Sequence, residues 1–319
     1  MGLRTWVKRR FGKKDVQPMS YALRPDPFAQ VSQTIDRVFD DEQNEWSPVE
    51  EPARNSVKLA KQWLLSGYQK CAQGDLLGAI DDCDKATEFN PDDPLNWCIW
   101  TLRGNSLSDL GRHEEAIASY DKAVEFKRDY HEAWSNRGIS LDDLDRYEEA
   151  IASYDKAIKF KPDFHEAWSG RGISLNNLGR NEEAIASYDK AIEFRPDLHG
   201  AWYNRGIAAA SSRSSSPYPL PIILNQRPAN LHHKHPELSQ RGYEGQIASL
   251  IVGLTYCPAD SHSLGHGLLQ RKLGDTHFNQ AKLQTKLSPL WNKAFKAYQL
   301  ALTVLTETDF PEERLLTLQ

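Results

Sequence analysis

Trp100, Trp134, Trp168 and Trp202 stand at one constant interval of 34 residues, and each is followed at the same offset by Arg-Gly: Arg103-Gly104, Arg137-Gly138, Arg171-Gly172 and Arg205-Gly206. Ala116, Ala150 and Ala184 return at that interval, as do Tyr120, Tyr154 and Tyr188, and Ala123, Ala157 and Ala191. Pro162 and Pro196 close two of the units, while Arg128 stands where a third would have its proline. The segments RHEEAIASYDKAVEFKRD (112–129), RYEEAIASYDKAIKFKPD (146–163) and RNEEAIASYDKAIEFRPD (180–197) are near copies. A period of this length marks an array of stacked structural units.

One unit is legible in physical terms. Trp168, Gly172 and Leu175 recur at helical spacing and give a first helix with one apolar stripe; Ala184, Ile185, Tyr188, Ala191 and Ile192 give a second. Leu178-Gly179 is the turn between them, and Pro196 ends the second helix. The small residues Gly172, Ala184 and Ala191 sit where neighbouring helices approach closely. Asp163 with Glu166, and Asp129 with Glu132, read as N-caps with capping-box partners; Gly200 breaks that pattern in the next unit. So small a helix pair cannot bury both stripes alone, so each copy is the packing partner of the next.

Period, Trp, Gly, Ala and Pro positions together resemble the tetratricopeptide repeat (TPR). The implied fold is an all-α solenoid of helix-turn-helix pairs winding as a right-handed superhelix. Upstream, Trp63, Gly67, Gly74, Ala79, Ala86 and Pro91 match a degenerate unit, with a three-residue insertion around Asp92–Pro94. Downstream, the unit at Trp202 loses its pattern after Ile207. YEGQIASLIVGLTYCP (243–258) then aligns with YEEAIASYDKAIKFKP (147–162) as the missing second helix. The expected organisation is a basic amphipathic N-terminal helix (1–14), a mostly disordered linker (15–55), the TPR array (56–210), a Pro/Ser/His-rich insertion (211–242), and divergent TPR-like helices cut short at the C-terminus (243–319). Within the last segment, 268–280 and 289–305 form a final pair, and Pro311-Glu312 starts another helix.

The resemblance also implies where a ligand binds, because the concave groove of a TPR array is lined by the first helices. Carried over, its positions are Thr101, Asn105, Ser108 and Asp109; Ser135, Ile139, Asp142 and Asp143; Ser169, Ile173, Asn176 and Asn177; and Tyr203, Asn204 and Ile207. This surface is polar and somewhat acidic. Thr101, Ser135 and Ser169 occupy a position where carboxylate-gripping relatives have Lys or Arg, so a peptide with polar or basic groups is the expected ligand. Arg103, Arg137, Arg171 and Arg205 would repel one another unless paired, and Asp121, Asp155 and Asp189 recur at a fixed offset. An Arg–Asp ladder between neighbouring helices is therefore expected, structural in role.

The formal net charge of −5 gives no reason to expect nucleic acid as a partner. Positive charge is concentrated in MGLRTWVKRRFGKK, where Leu3, Trp6, Val7 and Phe11 share one helical face, the pattern of a short helix on an anionic membrane surface. Cys71, Cys83, Cys98 and Cys257 form no CxxC pair and read as reduced thiols of a cytoplasmic protein. Cys257, His262, His266 and His277 fit no standard zinc spacing. His232, His233 and His235 read as solvated loop residues, and His131, His165 and His199 as structural members of the repeat. No phosphate-binding loop or Ser/His/Asp arrangement is present, so no cofactor, metal or catalysis is expected.

Beyond the repeat, the layout is similar to the N-terminal half of bacterial proteins that join TPRs to a caspase-like CHAT peptidase domain. The motifs are AWSNRGISL…EEAIASYDKAI, GYEGQIASLIVGLTYCP, KLGDTHFNQ and AYQLALTVLTETDFPEERL. In that family the catalytic His and Cys lie in the peptidase domain, so the resemblance carries no catalytic residue onto this chain. It implies two functions. The first is a non-enzymatic scaffold that binds a protein or peptide in the groove, cytoplasmic and peripheral to the inner face of the membrane. The second is the regulatory arm of a split or truncated caspase-like protease, with that protease as partner.

Overall fold

The computed structural model describes residues 51–89, 96–212, 229–283 and 289–306, with Phe310, Glu313, Arg314 and Thr317. Among these residues every regular element is helical: α1 (Glu51–Ala72), α2 (Leu76–Phe89), α3 (Asn96–Asp109), α4 (His113–Phe126), α5 (His131–Asp143), α6 (Tyr147–Phe160), α7 (His165–Asn177), α8 (Asn181–Phe194), α9 (His199–Ser211), α10 (Ala229–Lys234), a 3-10 turn (Pro236–Ser239), α11 (Gly242–Tyr256), α12 (Ser263–Lys282) and α13 (Leu290–Val304). The fold is the expected all-α succession of helix-turn-helix repeats. Helix α1 begins at Glu51, inside the segment expected as linker; Pro52 occupies its first turn, where a missing N–H leaves no helical bond unmade. The candidate membrane helix and most of the linker lie outside the described residues, as do residues 213–228.

The three near-identical segments form α4, α6 and α8. Each opens on two glutamates, Glu114-Glu115, Glu148-Glu149 and Glu182-Glu183, which complement the positive helix N-terminus. The preceding Arg112, Arg146 and Arg180 fork onto Glu115, Glu149 and Glu183. These pairs are exposed, so water and salt screen them and they contribute little to stability.

The first helices of the pairs start differently from the sequence-based expectation. Tyr130 is the N-cap of α5 and Leu198 that of α9, with no side-chain cap bond, and Phe164 O receives the first helical bonds of α7. Asp129 and Asp163 lie one residue too early to cap. What fixes these starts is burial: Tyr130 and Phe164 are core residues at 9% and 4% exposure.

The chain divides into two compact units between Gly170 and Arg171, within α7. In the first unit α1 packs on α2, α3 on α4 and α5 on α6, and α2 and α4 pack on the following α3 and α5. Its core includes Leu64, Tyr68, Cys83, Trp97 and Leu102, then Ile117, Ile139, Leu141, Tyr154 and Phe164. In the second unit α8 packs on α9, α9 pairs with α11 across the insertion, and α12 pairs with α13.

Two contacts explain the repeated residues. The indole Nε1 of Trp134, Trp168 and Trp202 donates to the carbonyl of Arg128, Pro162 and Pro196, respectively, at 2.8–2.9 Å. Because the acceptor is a backbone carbonyl, Arg128 serves as well as proline. The repeated Gly lies flat against the repeated Tyr: a Cβ on Gly138 would stand 2.7 Å from Tyr154 Cε1, and one on Gly172 2.7 Å from Tyr188 Cε1. In the α9–α11 pair Leu250 replaces the tyrosine, and a Cβ on Gly206 would meet nothing nearer than 3.5 Å.

These contacts predict opposite signs for one substitution. Gly138→Ala drives a methyl into a buried ring and is expected to destabilise by about 1–3 kcal/mol. Gly206→Ala gains helix propensity of about 1 kcal/mol with room for the methyl. Thermal unfolding of the two variants should move Tm down and up, respectively.

Candidate functional site

The first helices α3, α5, α7 and α9 carry the expected groove positions, and the structure sorts them by exposure. Thr101, Ser108, Ser135, Ile139, Ser169 and Ile173 are buried, as is Asn204. Thr101 Oγ1 turns back to Trp97 O at 2.7 Å, and Ser108 Oγ meets Ser140 Oγ at 3.2 Å. Asn105, Asp142, Asn176, Tyr203 and Ile207 are half-buried, and Asp109, Asp143 and Asn177 are exposed. The open positions are the ones a partner can touch, and the buried ones support them.

In the first unit two open side chains are held rigidly. Asn105 Oδ1 accepts from Tyr120 Oη at 2.8 Å and from Asn136 Nδ2 at 3.0 Å, which fixes the amide and leaves its Nδ2 to donate. Asp142 Oδ2 accepts from Tyr154 Oη at 2.8 Å. Burial pushes the Tyr154 phenol well up, with the Asp142 charge adding to it, so it remains a donor. Neighbouring Asp143 lies 3.6 Å from His113 Nδ1. Asn136 is not among the expected groove positions, although Asn204, two 34-residue periods further on, is. In the second unit Lys272 Nζ lies over the Tyr203 ring at 5.1 Å.

The Arg–Asp ladder forms at Arg103, Arg137 and Arg205. Arg103 Nε donates to Asp84 Oδ1 at 2.7 Å and its Nη1 to Ser119 Oγ at 2.9 Å. Arg137 repeats this with Asp121 at 2.7 Å and Ser153 at 2.7 Å. Arg205 does so with Asp189 at 2.6 Å and Ser249 at 2.7 Å. Each guanidinium thus joins the second helix of one pair to the second helix of the next. The serine partner was not anticipated, although it recurs at the same period. Ser249 stands where the alignment of 243–258 with 147–162 places Ser153.

The insertion's end corrects one expectation. His232 and His235 are not solvated: His232 Nε2 lies 2.8 Å from Asp189 Oδ2, and His235 Nε2 lies 3.1 Å from Tyr256 Oη. Leu231 and Leu238 are buried at 7% and 0% exposure, and Arg205 Nη2 donates to Leu238 O at 2.9 Å. Only His233 of the three is exposed. Burial pushes the Asp189 carboxyl up, but Arg205 and His232 outweigh it and hold it at about 2.

Cys257, His262, His266 and His277 do not converge on one point. Cys257 Sγ donates to Asp197 O at 3.3 Å, and His262 Nε2 meets Asp197 Oδ2 at 3.1 Å. His266 Nδ1 bonds Cys257 O at 2.9 Å, whereas His277 Nδ1 bonds Tyr243 Oη at 2.6 Å. Burial pushes the Cys257 thiol up to about 11, which leaves it an inert thiol at neutral pH. Among the described residues no group of three or more His, Cys, Asp or Glu is arranged to hold a metal ion. No helix among them is long and apolar enough to cross a membrane. Leu3, Trp6, Val7 and Phe11 lie outside the described residues.

Residues 101–163 and 136–199 match a tetratricopeptide repeat family model in two overlapping stretches. Residues 101–199 thus carry tetratricopeptide repeats. A curated relative, the tetratricopeptide repeat protein 36 homolog of Nematostella vectensis, is 28% identical over 83 residues, covering 26% of this chain and 44% of the relative. The chain therefore spans under half the length of that curated relative. Among solved structures it is similar to a MamA protein (TM-score 0.48, 19% identity, 73% of this chain and 99% of that one). It is also similar to YrrB, described as a TPR protein with an unusual peptide-binding site (TM-score 0.45, 18% identity, 74% and 95%). TPR domains are protein–protein interaction modules, and their fold is generally non-catalytic.

The buried rung gives a pH prediction. The Asp189 carboxyl is depressed to about 2, below the ordinary carboxylate value of about 3.9. Its stabilisation is thus complete above pH ~4 and is lost as pH falls through the folded value. Acid unfolding followed by circular dichroism should show a limb between these values that is flattened in Asp189→Asn, which is less stable at neutral pH.

Proposed function

We propose that this TPR protein is a non-enzymatic scaffold that binds a peptide or protein partner on the face formed by its first helices. One observation carries the reading: within the first unit that face presents an amide donor and a carboxylate acceptor, each already oriented by a buried tyrosine. Asn105 is held by Tyr120 and Asn136, and Asp142 by Tyr154. A fixed donor and a fixed acceptor match the alternating C=O and N–H groups of an extended peptide. Because both groups are ordered beforehand, binding loses little side-chain entropy.

Asp109 and Asp143 are exposed on the same helices and favour a ligand with basic side chains. Ser135, Ser169 and Thr101 support this surface from below; in the second unit, taken by itself, Asn176, Asn177 and Tyr203 are the corresponding candidate contacts. The scaffold acts in the cytoplasm, with Leu3, Trp6, Val7 and Phe11 as a weak peripheral contact to the membrane.

The sequence motifs in α11 and α12 that resemble CHAT-linked proteins support a second reading, in which the array is the regulatory arm of a caspase-like protease. In that case the partner captured is itself a protease with a His/Cys pair.

Affinity capture from the source cell, comparing wild type with Asn105→Ala/Asp142→Asn, tests the first reading. The variant should lose at least about 1 kcal/mol of binding, which is roughly five-fold in recovery of the specific partner. Equal recovery of the same proteins by both chains would place binding elsewhere.

A further inference from the structure

The rungs of the ladder are chemically alike but differ in what covers them. The guanidinium side chains of Arg103 and Arg137 are 20% and 19% exposed, and the carboxylates of Asp84 and Asp121 are 48% and 47% exposed. Both side chains of the Arg205–Asp189 rung are 0% exposed. The difference is the insertion's end, which lies over the Arg205–Asp189 rung and completes it in three places. His232 meets the second carboxylate oxygen of Asp189, Leu238 O takes Nη2 of Arg205, and the His235 ring stands edge-on to Tyr256 at 5.8 Å. In the surface rungs, among the described residues, Oδ2 of Asp84 and Asp121 and Nη2 of Arg103 and Arg137 carry no protein hydrogen bond. The repeat places Phe160 and Phe126 where α11 has Tyr256; Phe126 is 38% exposed and Phe160 half-buried.

We propose that the two surface rungs, Asp84/Arg103/Phe126 and Asp121/Arg137/Phe160, form a docking edge for a peptide segment of a partner protein with the chemistry of residues 231–238. That segment supplies an imidazole to the carboxylate, a second ring against the aromatic residue, and a backbone carbonyl six residues after the first histidine to the guanidinium. The chain's own copy is seated on the Arg205 rung, so the open rungs are filled by another protein. The fork geometry of arginine favours a backbone carbonyl in one orientation, and the aspartate selects a donor such as imidazole. Arg103 and Asn105 are two residues apart on α3, about 200° around the helix, so this edge is separate from the first-helix face.

A fluorescent peptide, ANLHHKHPELSQ (residues 229–240), titrated into the full chain by anisotropy at neutral pH tests the proposal. Saturable binding is expected, weakened at least about five-fold by Asp84→Asn/Asp121→Asn in the protein. The same loss is expected when the peptide carries His232→Ala, which leaves the protein untouched and so cannot be mistaken for misfolding. Absence of saturation at ~1 mM peptide, or binding indifferent to both changes, would overturn the proposal. Self-association of the full chain that disappears on His232→Ala would assign the edge to a second copy and overturn the partner assignment.

Discussion

A guanidinium shared between an aspartate behind it and a serine ahead of it, as at Arg103, Arg137 and Arg205, is the interaction on which the other contacts depend. The arginine sits on a first helix, and its two acceptors sit on the second helices on either side. A planar fork with fixed donor directions accepts only one relative setting of three helices. That setting in turn brings the glycine of the first helix flat against the tyrosine of the second, and leaves the tyrosine hydroxyl beside Asn105 or Asp142. The candidate binding groups are therefore placed by the same repeat geometry that packs the core, without a dedicated loop.

The rungs do not all contribute alike. A rung with half-exposed carboxylates is screened by water and salt, and adds on the order of 1 kcal/mol or less. The Arg205–Asp189 rung is fully buried, where an uncompensated charge is expensive and complete hydrogen bonding becomes necessary. His232, Ser249 and the Leu238 carbonyl supply that completion. The unit that tolerates a long insertion is thus the one whose insertion returns to close its own rung. The same segment covers Tyr256, which stacks on Trp202 at 5.8 Å.

Much of this was readable from the period. Identical spacing of Trp, Arg-Gly, Ala and Tyr implies identical packing, so helix pairs, the ladder aspartates Asp121 and Asp189 and the return of the second helix at 243–258 followed from arithmetic on the sequence. What escaped it lies in contacts between unlike positions of neighbouring repeats or in the backbone. Asn136 steadies Asn105 through such a contact, which the period alone does not announce. The apolar starts at Tyr130 and Phe164 displaced the aspartates because burial outweighed a surface cap. Asp145 takes the left-handed turn (φ 58°) that Gly111 and Gly179 make in the sister repeats, which no glycine pattern announces. The roles of His232 and His235 depend on where a unique segment folds back, and a sequence without a second copy of that segment offers no ruler for it.

The shared guanidinium couples neighbouring pairs, weakly at the surface and strongly where the insertion seals it. Double-mutant cycles on Arg205/Asp189 and Arg137/Asp121, read by chemical unfolding, measure that coupling directly. The expected coupling is about 2–3 kcal/mol for the buried rung and roughly 0.5 kcal/mol for the surface one. Equal couplings at the two rungs, or none at the buried one, would contradict it.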